Sequence, residues 1–418
     1  MNPILEPRAT KYVDSLTASS NPITGMRFLH LPSVDLKANE PPLFSLIQGH
    51  KPHVKETVSK LLFSSNESTP DPPPRLAGFV IDMLLTGMID VANEFGVPSY
   101  LFSPSSATYL GLTLFLHALH EEQGVELSTE FKDSDTELPI PTLANPLPAR
   151  LLPSIVLDKN FLPVFHASAA RSPPIYPVGP ILNLKRSGNS NKYEEEEGDE
   201  DVMKWLDEQA TSSVVFLCFG SWGSLEDVQM REIARALEHS GHPFLWSLRQ
   251  PPPKREMAAA PSEYVNLCER LPDGFLHRTG ETGRVIGWAP QVDILAHPAI
   301  GGLVSHCGWN STLESVWFGV PIVAWPMYAE QQFNAFQLAT ESGLASEIKM
   351  DYRKNFYGET DVVSAGEIEK GIRHVMEGAE VKRKMKEMSG KARRAMKNDG
   401  SSYSSLGCLI HEIVEGSI

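Results

Sequence analysis

The sequence predicts an α/β protein of two domains, the second built on a parallel, doubly wound sheet. Three observations carry that expectation. The C-terminal half sets five apolar runs, SVVFLCFGS, HPFLWSL, RVIGW, IGGLVSH and VPIVAWP, with helix-sized stretches between them, the alternation of a parallel sheet covered on both faces. A chain of 418 residues is long enough for two cores. With 41% hydrophobic and 21% charged residues it has a globular balance, not that of a disordered or collagen-like chain.

Taken in order, MRFLHLP at 26–32 reads as a strand and the stretch around 43–64 as a helix. A proline-rich loop, STPDPPPR, interrupts. LAGFVIDML then reads as a buried strand, TGMIDVANEFG as the helix after it, and VPSYLFSPSS as a strand entering a polar turn. From Glu122 to Pro174 prolines are frequent and no period is sustained, so no element is assigned. KRSGNSNKYEEEEGDED mixes Ser, Gly and Asn with a carboxylate run, the composition of a solvated linker, and Glu194 to Glu197 receive no metal role. The regular alternation begins beyond it.

A net charge of −15 and a pI near 5.4 exclude nucleic acid as the expected partner. Cys218, Cys268, Cys307 and Cys408 stand far apart without a CxxC pair, which argues against a zinc site or a disulfide framework and for a reducing, cytoplasmic setting. The opening residues lack an apolar leader, and no apolar stretch is long enough to predict a membrane span.

In doubly wound sheets ligands bind beyond the carboxyl ends of the strands, where helix N-termini offer N–H groups to anions. Three such turns hold the informative residues: FGSWGS at 219–224, SHCGWNSTLES at 305–315 and WPMYAEQQ at 325–332. His306, Asn310 and Ser311 can donate to a diphosphate, and Gly308 admits close backbone approach. Glu314, one helical turn on, suits the vicinal hydroxyls of a ribose, and Trp288 offers a flat face to a base. Glu330 and Gln331 form an acceptor-rich pair for sugar hydroxyls. Singly, Trp288 and His306 read equally as core residues and Glu314 as a surface carboxylate; their occurrence together points to a nucleotide-sugar site.

The 44 residues from Trp288 to Gln331, WAPQVDILAHPAIGGLVSHCGWNSTLESVWFGVPIVAWPMYAEQ, resemble the signature box of plant family-1 UDP-glycosyltransferases. FVIDML, VANEFGVP, IYPVGPILNL, LPDGFL and GSSYSSLG extend the resemblance over most of the chain. It implies a GT-B fold, two Rossmann-like domains with a cleft between them, the N-terminal one incomplete. Residues 1–182 would be the acceptor domain, 183–201 the linker, 202–390 the UDP-sugar domain, and 391–418 helices crossing back.

The resemblance also assigns roles. Trp288 stacks on uracil, Ala289 and Gln291 hold base and ribose, and Glu314 takes the ribose hydroxyls. His306, Gly308, Asn310 and Ser311 face the phosphates with Ser221, while Trp309, Tyr328, Glu330 and Gln331 complete the donor site on the sugar side. Glutamine at the last box position is the variant associated with glucose. UDP-glucose is then the donor substrate, with no cofactor and no metal, and a small lipophilic alcohol or phenol is the acceptor.

Family chemistry is an inverting displacement in which a histidine takes the acceptor proton and an aspartate, here Asp82, steadies the imidazolium. Asp82 could equally cap the helix after its strand. The family's histidine follows an opening apolar strand in a Gly-His turn, and the first residues, MNPILEPRATKYVDSL, supply neither. His30 sits in a later strand and is no substitute. NFLPVFHASAARSPP is also shorter than the family's corresponding region. A truncated chain that binds UDP-sugar without turnover is therefore the alternative. A nucleotide-dependent oxidoreductase on the same fold class is disfavoured, because no GxGxxG follows a strand.

Overall fold

The computed structural model describes residues 28–35, 37, 42–63, 75–131, 134–157, 174–184, 199–252, 261–353 and 361–415. These fall into two compact units. One takes in Met1–Pro104 and Gly407–Ile418, and the other Ser105–Asp158 and Ile175–Leu406. Residues 185–198 of the linker expected at 183–201, the opening residues to 27 and most of NFLPVFHASAARSPP lie outside the described residues, while residues 199–201 open a helix.

In the first unit α1 (Pro42–Phe63) is followed by β1 (Phe79–Asp82), a 3-10 turn over Met83–Met88, α2 (Ile89–Glu94) and β2 (Ser99–Phe102). β1 and β2 pair in parallel from Phe79↔Ser99 to Asp82↔Phe102, so LAGFVIDML and VPSYLFSPSS form strands as expected. α1 lies against the 3-10 turn: a Cβ at Gly87 would stand 2.8 Å from Ile47 Cγ2, and Lys51 pairs with Asp90 at 2.6 Å. Arg75 donates to the Val414 carbonyl near the chain's end. Val80, Leu101 and Phe102 are exposed.

Over the described part of the strand expected at 26–32, no strand forms. Residues 28–35 have no helix or strand, and Phe28, Leu29, His30 and Leu31 are exposed. An apolar run becomes a strand only where a neighbour satisfies its N–H and C=O groups, and Pro32 removes one donor.

The second unit begins with α3 (Ala107–Gln123), whose N-cap Ser106 accepts from Tyr109 N–H and whose C-cap Gly124 takes φ +67, the left-handed geometry that suits glycine. Within the stretch left unassigned from sequence, β3 (Glu137–Leu138) and β4 (Leu147–Pro148) make a short antiparallel pair. Local sequence carries little sign of so small a ladder. The loop joining the two strands is held by a tertiary contact: Glu341 accepts from the backbone N–H groups of Ala144 and Asn145 at 2.8 and 2.9 Å.

The remaining elements are α4 (Asp199–Asp207), β5 (Val214–Cys218), α5 (Asp227–Ser240), β6 (Phe244–Ser247), β7 (Gly283–Ile286), α6 (Gln291–Ala296), β8 (Ile300–Ser305), α7 (Trp309–Phe318), β9 (Ile322–Ala324), α8 (Gln331–Phe336), β10 (Ala345–Glu347), α9 (Ala365–Glu377), α10 (Ala379–Ala395) and α11 (Ser401–Glu415). The strands form one parallel six-stranded sheet ordered β10-β9-β8-β5-β6-β7. All five expected strands are present. The sixth, β10, escaped the sequence reading because Ala345–Glu347 is a short edge strand without an apolar run.

Alternation along β5 explains why its sequence is apolar throughout. Val215 and Leu217 join Met230, Ile233, Ile368 and Ile372 of α5 and α9 on one face. Val214 and Phe216 join Trp205, Leu206, Ile294 and Leu295 of α4 and α6 on the other. Both faces are dry, so neither tolerates a polar residue. The chain runs outward from β5 through β6 to β7, then returns to β8 on the opposite side of β5 and continues through β9 to β10. That reversal is the switch point at which such sheets open a crevice.

Candidate active site

The turns leaving β5 and β8 lie side by side at this switch point, because Cys218 and Ser305 are register partners. Gly220 ends the first strand at φ +74, and a Cβ there would stand 2.6 Å from His306 Nε2. A Cβ on Gly308 would stand 2.5 Å from the same atom. The imidazole is therefore fitted between two glycine backbones. Burial pushes its pKa down to about 4, so the ring is neutral at physiological pH and one nitrogen keeps a proton to donate.

α7 starts immediately after. Gly308 is its N-cap, leaving Trp309, Asn310 and Ser311 in the first turn with helix N–H groups at the mouth of the switch point. Cys307, just before, adopts φ +61, costing about 1–2 kcal/mol for a residue with a Cβ. Its N–H donates to Ser305 Oγ at 3.1 Å and its carbonyl accepts from Asn334 Nδ2 at 3.0 Å. These bonds hold the bend that aims the helix. Neither Cys307 nor Asn334 was marked from sequence, since a left-handed backbone at cysteine has no compositional sign.

Three residues of the expected nucleotide end converge. Gln291 Nε2 donates to Ser311 Oγ at 3.0 Å and to Glu314 Oε2 at 2.6 Å. Burial raises the Glu314 pKa, and the bond from Gln291 opposes that rise. Trp288 is half-buried and Ala289 buried; Trp288 N–H donates to Glu263 Oε1 at 3.2 Å, and Ser247 Oγ donates to the Gly287 carbonyl at 2.7 Å. Ser221 is half-buried beside Gly220.

At the third turn Ala329 takes φ +57. Gln331 is buried, and its Oε1 accepts from Met327 and Tyr328 N–H at 2.9 and 3.0 Å. Its side chain also bonds the Tyr328 hydroxyl, whose pKa burial pushes up to about 12. Gln331 thus shapes the turn as well as facing it. Glu330 is half-buried, its pKa raised by burial and opposed by a bond to Asn334. Tyr109 of α3 reaches this region, with its ring 5.9 Å from that of Phe333.

Asp82 belongs to the first unit. It is half-buried, and its Oδ1 accepts from Leu84 N–H at 2.8 Å as the N-cap of the 3-10 turn. The capping alternative is present, and it uses one carboxylate oxygen. The Gly49–His50 pair lies inside α1 rather than in a strand-to-helix turn. Among the described residues no group of three His, Cys, Asp or Glu side chains could hold a metal ion.

Residues 173–389 match the family model described as UDP-glucoronosyl and UDP-glucosyl transferase. The chain belongs to the UDP-glycosyltransferase family. Among relatives of this UDP-glycosyltransferase, the UDP-glucose flavonoid 3-O-glucosyltransferase 6 of Fragaria ananassa is 49% identical over 96% of this chain and 88% of that protein. The anthocyanidin 3-O-glucosyltransferase 1 of Manihot esculenta is 47% identical over 99% and 94%.

Solved structures agree. A UGT transferase from Siraitia grosvenorii in complex with UDP is similar with a TM-score of 0.81 at 43% identity, over 93% of this chain and 90% of that one. Medicago truncatula UGT71G1 complexed with UDP-glucose gives 0.74 at 38%, over 92% and 84%. The fold class of this UDP-glycosyltransferase is GT-B, as expected. Among its described residues no helix is long and apolar enough to cross a membrane.

Proposed function

We propose that this UDP-glycosyltransferase moves glucose from UDP-glucose to a hydroxyl of a small phenolic acceptor, leaving a β-glucoside. The observation that carries the reading is the joining of Gln291, Ser311 and Glu314 beside the α7 N-terminus, at the switch point of the sheet. The flavonoid and anthocyanidin glucosyltransferases among its relatives support the acceptor class.

In this reading Trp288 supplies the face for uracil, with Ala289 beside it. Gln291 and Glu314 take the ribose, where an ionised carboxylate accepts from two vicinal hydroxyls. His306, neutral, donates one N–H to the diphosphate, joined by Ser221, Asn310, Ser311 and the N–H groups at the start of α7. Their preorganised dipoles stabilise the negative charge that grows on UDP as the bond to the anomeric carbon breaks. Trp309, Tyr328, Glu330 and Gln331 face the sugar, Glu330 as acceptor.

The acceptor oxygen attacks the anomeric carbon from the side opposite UDP. In this reading Asp82 acts at the proton-removal step, steadying the imidazolium of a base histidine that takes the acceptor's proton. On this reading residues 1–182 serve the acceptor, 183–201 link, 202–390 hold the donor and 391–418 cross back. Four free cysteines suit a reducing, cytoplasmic compartment.

The test is incubation of the purified chain with UDP-glucose and a panel of phenols, followed by mass spectrometry and β-glucosidase digestion. A β-glucosidase-sensitive product formed in step with UDP supports the proposal. UDP binding without any glucoside would overturn the activity and leave a donor-binding chain.

A further inference from the structure

We propose that Arg249 is a positioning residue for the nucleobase platform, its guanidinium holding the Trp288 indole in the plane on which uracil stacks. The inference rests on the reading of Trp288 as that platform. Arg249 stands two residues beyond β6 and is only 8% exposed, and a buried cation is costly unless its donors are used. Here two of its three nitrogens are used on backbone. Nη2 donates to the Pro261 carbonyl, and Nε donates to the Ser262 carbonyl at 3.4 Å. Gln250 and Ser262 pair as an antiparallel bridge at the same point, so the guanidinium is fixed where the chain returns toward β7.

What this fixed cation faces is the indole. Its Cζ lies 5.1 Å from the centroid of the Trp288 ring, within the range of a cation–π contact. Two further contacts hold the same dipeptide: Ser247 Oγ on the Gly287 carbonyl at 2.7 Å, and Glu263 Oε1 on the Trp288 N–H at 3.2 Å. Gly287 itself has no room for a side chain, since its Cβ would stand 2.6 Å from Glu263 Oε1. Carbonyl, N–H and ring are thus gripped by the end of β6 and by the chain returning from it. In this reading uracil stacks on the indole face away from the guanidinium.

An indole immobilised this way loses less rotational freedom when a base stacks on it, so the contact stabilises binding through preorganisation. An apolar side chain could fill the space without the desolvation cost of a charge. The cation adds attraction to the ring and hydrogen bonds that set its own position. Sequence alone did not mark Arg249, because its distance from Trp288 along the chain hides the contact.

The test uses UDP as the probe, titrated calorimetrically against the wild type, R249Q, R249K, W288A and the R249Q/W288A double variant, with thermal melts to verify folding. R249Q retains a donor for Pro261 O and removes the charge, and is expected to weaken UDP binding about two- to tenfold. R249K retains the charge but lacks the planar fork held by the Pro261 and Ser262 carbonyls, and is expected to weaken UDP binding by less than R249Q does. W288A is expected to weaken binding by about tenfold or more, and R249Q should then add no further loss. An equal R249Q loss with and without Trp288, or wild-type affinity in R249Q, overturns the positioning role while the platform reading stands. Wild-type affinity in W288A overturns the platform reading itself. If R249Q does not fold, R249K decides: wild-type affinity there, with the fork gone, overturns the positioning role.

Discussion

Gln291 Nε2 lies 2.6 Å from Glu314 Oε2, joining the first residue of α6 to the middle of α7. The bond favours the charged form of a half-buried carboxylate, against the effect of burial, and aims it. Gln291→Leu removes the donor, so the Glu314 pKa, already raised by burial, rises further. Loss of a hydrogen bond to a charged group amounts to about 1.5–3 kcal/mol, and the KM for UDP-glucose is expected to increase by about tenfold or more. Steady-state kinetics against pH checks the cause: in the variant, KM should begin to worsen at a higher pH as the solution is acidified.

His306 makes stability depend on pH. Its folded pKa of about 4 lies below the reference value of 6.5, so between these values the unfolded chain binds a proton that the folded chain does not. Stability must therefore fall as pH drops through that window and is fully present above it. The gap corresponds to at most about 3 kcal/mol. His242, also depressed by burial, adds in the same direction. Urea midpoints measured from pH 7 to pH 4 should fall steeply in the wild type and less steeply in His306→Gln. Parallel curves would rule out His306 as the source.

Gly220→Ala tests the fit around that imidazole. The substitution places a Cβ at φ +74 and 2.6 Å from His306 Nε2, combining left-handed strain with a ring that must move. A loss of about 2–3 kcal/mol is expected, seen as a lower melting temperature, together with weaker UDP binding by calorimetry. Gly366→Ala is the control, since nothing lies within 4 Å of its Cβ position.

Asp82 can be divided by chemistry. Asp82→Asn keeps an oxygen for the Leu84 N–H that Oδ1 now accepts and removes the charge. Its melting temperature should stay near the wild-type value while kcat/KM falls about 10²- to 10⁴-fold, the loss typical of an impaired proton transfer. UDP affinity should not change. Full activity in Asp82→Asn would reduce Asp82 to a helix cap.

Legibility differed along the chain for physical reasons. β5, β6, β8 and β9 were plain because both faces of a parallel sheet are buried, leaving apolar runs with no alternation. The run from Phe28 to Leu31 was equally apolar yet forms no strand, because strand formation also needs a neighbour's N–H and C=O groups. β10 and the β3–β4 pair went unseen because their short pairing depends on neighbours remote in sequence.

At the site, residue type and spacing were enough to mark Trp288, His306 and Glu314, because α7 places Asn310, Ser311 and Glu314 by helical rise alone. What only the tertiary structure decided is how each is held. Arg249 on the Trp288 ring, Gln291 between Ser311 and Glu314, and His306 between Gly220 and Gly308 join segments that sequence order keeps apart. By itself, then, the sequence determined the α/β alternation, the family box and the residue types available for chemistry, since these depend on local periodicity and order. Orientation, burial and the resulting pKa values came from packing. Those properties belong to the neighbours a folded chain brings together, and no local pattern encodes them.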